Sequence, residues 1–251
     1  TITHSADGSK SFTISIEAGI YYYAVNCTGS KSFTLDTIPR AATLTAAPNF
    51  NDENNPAITY SNPAGNAVTS LQACIADING STIYVPYRDI TKTGTSYTFS
   101  LTTAERTTLR NACANANSMS VRFYVKTVIG GNTFYSYLTK TLSIVNAKPT
   151  ITASAKDVGS TSTALTGDAN KMIKGFNNIS VSMTATGLKG ASIKSYKITN
   201  GGKTINAASG EFPYTDNNSF VFTVTDSRGN TDSKTITLTM INYVKVSCNA
   251  D

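Results

Sequence analysis

Apolar residues recur at every second position in two long stretches of this chain. Within residues 219–240, Phe220, Phe222 and Val224 take every second place, and Ile236, Leu238 and Met240 do so again after the turn-forming run DSRGN. Within residues 121–145, Val121, Phe123 and Val125 alternate with Arg122, Tyr124 and Lys126, and Gly130-Gly131-Asn132 follows. A period of two marks half-buried strands, and the glycine- and asparagine-containing breaks reverse the chain. Each stretch reads as a long antiparallel hairpin, and the second repeats the layout of the first.

The same pattern extends outward from these hairpins. Strands are expected at 42–45, 57–60, 71–78, 81–85 and 97–101, with Asn79-Gly80 as a hairpin turn. Further strands are expected at 150–155, 179–184 and 193–199, with Asn200-Gly201-Gly202 as the matching turn. One helix interrupts the series. Thr102 followed by Glu105 forms a capping box, and Leu109, Ala112, Cys113 and Ala116 fall on one face, which predicts a helix over about 103–114.

These elements divide the chain. Residues 1–38 read as C-terminal strands of an upstream β domain. Residues 39–147 form an Ig-like β-sandwich carrying the short helix, residues 148–245 a second Ig-like sandwich, and residues 246–251 lead into a further domain. Pro39 and Lys148-Pro149 mark the junctions, because proline cannot donate to a strand ladder. The fold class is all-β, with tandem Ig-like or fibronectin-III-like sandwiches. Short junctions restrict motion between domains, which suits a rigid spacer.

Composition narrows the chemistry. Of 251 residues, 14% are charged and 40% hydrophobic, and the formal net charge is +6. The basic residues are scattered singly and do not form the clustered, aromatic-interleaved track of a nucleic-acid groove. A mild positive charge allows an unspecific attraction to anionic bacterial wall polymers, but a solvated surface with a slight excess of lysine is the favoured reading. No apolar run is long enough for a membrane span. Cys27, Cys74, Cys113 and Cys248 are far apart and accompany a single histidine, which argues against structural zinc and for buried free thiols.

Candidate chemistry is thin. Asp52 and Glu53 are adjacent acids in the polar loop NDENNP, expected to face water in different directions. His4 would have to serve any serine or cysteine triad. Gly175 lacks the context of a phosphate loop. Tyr84, Tyr87, Phe134, Tyr135 and Tyr137, and the Tyr21-Tyr22-Tyr23 run, are the candidate stacking surfaces for a carbohydrate, although strand tyrosines commonly serve as sheet cover. Arg228, at the tip of the last hairpin, is expected to be an exposed turn residue. No residue is assigned as catalytic, cofactor-binding or metal-ligating, and the chain is not expected to be an enzyme.

Several segments resemble tail structural proteins of siphophages that infect Gram-positive bacteria. They are TITHSADGSKSF (1–12), LDTIPRA (35–41), FSLTTAERTTLRNA (99–112), VIGGNTFYSYLTKTLSIVNAKPT (128–150), IKGFNNISV (173–181), KGASIKSYKITNG (189–201), FTVTDSRGNT (222–231) and INYVK (241–245). The resemblance implies a virion component of the tail tip, baseplate or tail fibre, extracellular once assembled. It implies partners among copies of itself and other tail proteins, and contact with the host surface through wall polysaccharide or teichoic acid. A bacterial surface adhesin or stalk built of Ig-like repeats is the alternative on the same physics.

Overall fold

A computed structural model describes residues 4–5, 8–20, 25–35, 38 and 40–242, with the side chains of 20 and 25–27 outside that description. The expectations for Tyr21-Tyr22-Tyr23, Pro39, Cys248 and the exit strand after 242 therefore lie outside the described residues, as does the Cys27 side chain. The chain divides into two compact units, Thr1–Arg106 with Met119–Ser143, and Thr107–Ser118 with Ile144–Asp251.

Unit 1 opens with a hairpin of β1 (Lys10–Ile20) and β2 (Val25–Leu35), paired from Lys10↔Leu35 to Ile20↔Val25. There follow β3 (Thr43–Ala46), β4 (Phe50–Asn51), β5 (Ala57–Ser61), a 3₁₀ turn at Gly65–Ala67, β6 (Ser70–Ala76), β7 (Ile83–Asp89) and β8 (Ser96–Thr98). Helix α1 (Thr103–Ala112) precedes β9 (Ser118–Ile129) and β10 (Asn132–Ser143). One sheet has the order β3-β5-β8 and the other β4-β10-β9-β6-β7. Inward-facing Phe123, Val125, Leu71, Ile75, Val85 and Phe99 are fully buried. The Phe123 ring meets those of Phe50 and Phe99 in tilted contacts, with centroids 5.5 and 5.8 Å apart. Burying each such side chain contributes about 1.5–3 kcal/mol. The turn after β9 is two residues long, and Gly130 and Gly131 both have positive φ (56° and 77°). A type I′ hairpin turn requires that sign at both positions.

The predicted capping box is present. The Thr102 amide and hydroxyl donate to Glu105 Oε2, and the Glu105 amide donates to Thr102 Oγ1. Arg88 on β7 donates from Nη2 to both oxygens of the same carboxylate, at 2.6 and 2.7 Å. Burial opposes ionisation of Glu105, but the bonds from Thr102 and Arg88 together hold its carboxyl below the usual range. A carboxyl depressed in the folded state stabilises above its unfolded pKa, and that stability is lost as pH falls through the folded value. Denaturation of the wild-type chain between about pH 5 and pH 2 will therefore show a loss of stability that Glu105→Gln reduces. An unchanged pH profile in the variant would refute the assignment.

Unit 2 contains β11 (Thr150–Asp157), α2 (Ser160–Thr166), β12 (Lys171–Ile173), β13 (Asn178–Thr186) and β14 (Ile193–Asn200). It continues with β15 (Lys203–Ile205), β16 (Ser209–Pro213), β17 (Ser219–Asp226), β18 (Thr231–Thr237) and β19 (Thr239–Ile241). Its sheets are β11-β13-β16, β15-β14-β17-β18 and the short pair β12-β19. Each unit thus opposes a three-stranded sheet to one in which two hairpins lie side by side, in the order β7-β6-β9-β10 and β15-β14-β17-β18. That is the arrangement of Ig-like and fibronectin-III-like sandwiches. Phe212, Phe220, Phe222, Ile198, Val181 and Met172 form the core of unit 2.

Two features depart from the expected pattern. Helix α2 is a second helix, built from STSTALT, which has no apolar period of 3.6. Its start is fixed by Gly159, where a Cβ would lie 2.9 Å from both Asn178 N and Phe176 O. Its end is fixed by left-handed Gly167, whose amide donates to Thr163 O. The last hairpin is also shorter than the alternation implies. β18 leaves β17 after Thr237, Leu238 bonds Asn218 in both directions, and β19 pairs in parallel with β12.

Candidate functional site

The outward face of the five-stranded sheet in unit 1 gathers aromatic and cationic side chains. On β9, Val121, Phe123 and Val125 turn into the core, so Arg122, Tyr124 and Lys126 stand on the opposite face. They lie across from Ala76, Cys74 and Gln72 of β6. Tyr87 of β7 packs against Cys74, Ala76 and Tyr124. From β10, Tyr135 and Tyr137 meet the Tyr124 ring at centroid distances of 6.4 and 5.4 Å. The Arg122 guanidinium lies 4.1 Å from the Tyr137 centroid, and its Nη1 donates to Tyr124 Oη at 3.3 Å. Lys126 Nζ lies 5.2 Å from the Tyr87 centroid.

The Asn-Gly turn serves this face directly. Gly80 has φ +73°, and a Cβ there would lie 2.5 Å from Tyr124 Oη. The turn residue therefore leaves room for the end of the tyrosine as well as taking the required backbone conformation. Asp77 is taken up by the same turn: its Oδ1 accepts from the Ser81 and Thr82 amides and its Oδ2 from the Ser81 hydroxyl.

Of the five tyrosine and phenylalanine candidates, the fold brings Tyr87, Tyr135 and Tyr137 together. Phe134 falls on the other face of β10 by strand alternation, and Tyr84 is half-buried on β7. Tyr124, Arg122 and Lys126 complete the group. Their alternation with Val121, Phe123 and Val125 was the available signal for a shared face.

Other candidates are dispersed. Asp52 is fully buried, contrary to a water-facing pair, while Glu53 is exposed. The loop is closed inward because Arg106 donates to the Asp52 and Asn54 carbonyls and to Asn55 Oδ1. His4 Nε2 is enclosed and forms no hydrogen bond among the described residues. Gly175 sits in the turn between β12 and β13 with φ +79°. No group of three histidine, cysteine or acidic side chains is placed to hold a metal among the described residues. No helix among them is long and apolar enough to cross a membrane.

Arg228 is not an exposed turn residue. It is 7% exposed, and its guanidinium donates to four backbone carbonyls: Arg110 and Cys113 at the end of α1, and Leu188 and Lys189. The turn that carries it is set by Asp226, whose Oδ1 accepts from the Arg228 and Asn230 amides. Ser227 Oγ donates to Ala114 O, and Asn230 exchanges amide hydrogen bonds with Asn117.

Cys74 and Cys113 are free and buried. Burial pushes the Cys74 thiol up to about 11, against the smaller opposing effects of the Tyr87 hydroxyl and Lys126. Burial raises Cys113 as well, against Arg228. The thiolate is the reactive form, so both thiols are poor nucleophiles at neutral pH. In a variant with Cys27 and Cys248 changed to serine, an aromatic disulfide reagent will label two thiols in denaturant and react at least about 100-fold more slowly in the folded state. Equal rates in the two states would refute their burial.

A family model described as a siphovirus protein of unknown function (DUF859) matches residues 1–251. The chain belongs to that family. No curated protein sequence matches it. Among solved structures, it is similar to the FN1–FN3 domains of chicken CNTN1, at 12% identity and a TM-score of 0.29, covering 91% of this chain and 76% of that one. It is similar to a chimeric titin Z1Z2-Z1Z2 tandem, at 8% identity and a TM-score of 0.25, covering 80% and 99%. It is also similar to the Pseudomonas aeruginosa CupB2 chaperone, at 11% identity and a TM-score of 0.27, covering 78% and 99%.

Proposed function

We propose that this siphovirus protein is a non-enzymatic structural component of the phage tail, at the tail tip, baseplate or fibre, which also contributes to host-surface attachment. The observation that carries the reading is the siphovirus family match over residues 1–251 of a chain built from two sandwich units. Sandwiches of this kind hold their shape through a packed core, so they serve as modules in assemblies. The partners are other copies of the chain and other tail proteins. The tyrosine and cation face of unit 1 supports the attachment part, since exposed aromatics and arginine are enriched where proteins bind other surfaces.

Peptide mass spectrometry of gradient-purified virions, with antibody-gold labelling in electron micrographs, tests the assignment. The expected result is a stoichiometric particle protein with label on the tail. Absence from purified particles would overturn it.

A further inference from the structure

We infer that the outward face of the five-stranded sheet in unit 1 is a binding site for a phosphate-bearing glycan, an inference that rests on the attachment reading above. Three observations converge on that ligand chemistry. Tyr135 and Tyr137 are 56% and 48% exposed although they sit beside the nearly buried Tyr124. Side chains two apart on a strand stand roughly 7 Å from each other, so the two rings offer successive platforms. The apolar C–H face of a sugar ring stacks on such a platform, while the phenol hydroxyls remain free to bond its hydroxyls.

The second observation is charge. Among the described residues neither Arg122 nor Lys126 is held in an ion pair; each rests against a ring instead, and Asp77 acts on Arg122 only as a minor longer-range charge. The nearby acids are engaged elsewhere, Asp77 by its own turn and Asp89 by the Gln72 amide at 3.0 Å. The third observation is preorganisation. Stacking on Tyr137 and the bond to Tyr124 Oη fix the plane of the Arg122 guanidinium. A fixed guanidinium fork fits two phosphate oxygens at once and loses little side-chain freedom on binding. Two cations do not form the continuous track that a nucleic-acid strand needs, so the combination of exposed rings and isolated cations favours a saccharide with spaced phosphates.

The test uses the full 251-residue chain and three probes: glucose-substituted poly(glycerol phosphate), neutral dextran of similar length, and a single-stranded oligothymidylate. Binding is read by titration calorimetry and by NMR shifts of tyrosine ring signals. We expect the first probe to bind, with an affinity that falls as salt rises, and dextran to bind at least tenfold more weakly. Tyr135→Ala and Lys126→Gln, both at solvent-accessible positions, should each weaken binding about five- to tenfold with an unchanged thermal midpoint. Arg122→Gln should weaken it by a similar factor.

Failure of the chain to bind the phosphate polymer overturns the inference. So does equal binding of dextran or the oligothymidylate, or binding unchanged in all three variants. Adsorption of intact virions to host cells, with and without antibody against this chain, separates the two levels. Blocked adsorption with no polymer binding leaves the attachment reading standing and removes the glycan. Unblocked adsorption removes the attachment reading itself.

Discussion

Replacing Arg228 with alanine lowers the unfolding free energy of unit 2 by about 2–4 kcal/mol. The side chain is almost wholly enclosed, and its planar fork satisfies four carbonyls from two segments distant in sequence. Two of those carbonyls, from Arg110 and Cys113, lie at the C-terminal end of α1, where backbone acceptors lack helical partners and a positive charge is favoured. Alanine removes the guanidinium donor from all four, although the Arg110 and Leu188 carbonyls keep the Cys113 and Ala191 amides, and it opens a cavity. Lysine does not restore the loss, because a single ammonium cannot span acceptors arranged for a guanidinium. Urea denaturation followed by hydrogen exchange at the amides of β17 and β18 measures the effect. A loss below about 0.5 kcal/mol would show that Arg228 is dispensable.

Phe222→Ala has a larger effect, about 3–5 kcal/mol, from lost burial plus the cavity left behind. Phe222 is fully buried in the unit 2 core beside Phe220, Ile198 and Val181. Its neighbour Thr223 lies on the opposite face of β17, where the burial alternates residue by residue. Thr223→Ala therefore costs less than about 1 kcal/mol. The pair tests the period-two reading directly in one strand. Comparable losses from the two substitutions would mean that β17 is not a one-sided strand.

The strands and closing hairpins were legible because each carries its own local signal. Phe220, Phe222 and Val224 announce a buried face, Gly130-Gly131 a type I′ turn, and Thr102 with Glu105 a helix start. What was illegible depends on partners far along the chain. Arg228 sits in a sequence typical of exposed turns, yet its acceptor Cys113 is 115 residues away. The alternation of Ile236, Leu238 and Met240 continues unbroken across the point where the strand changes sheets, since a period of two is the same in either sheet. Helix α2 lacks an apolar stripe and is held by Ser162, whose buried hydroxyl accepts from the Ile173 amide. The tyrosine face follows the same rule: each strand shows its alternation, but only the order β10-β9-β6-β7 places Tyr135, Tyr137, Tyr124 and Tyr87 side by side.

The parallel pairings Phe50↔Leu142 in unit 1 and Met172↔Met240 in unit 2 each join an earlier segment of a unit to its last described strand. Tension between those two segments acts along paired strands that run the same way. The hydrogen bonds between them are then loaded in shear and must yield together, whereas bonds at the open end of a hairpin yield one at a time. Each pairing is thus a short clasp that resists drawing its two segments apart along the strand direction.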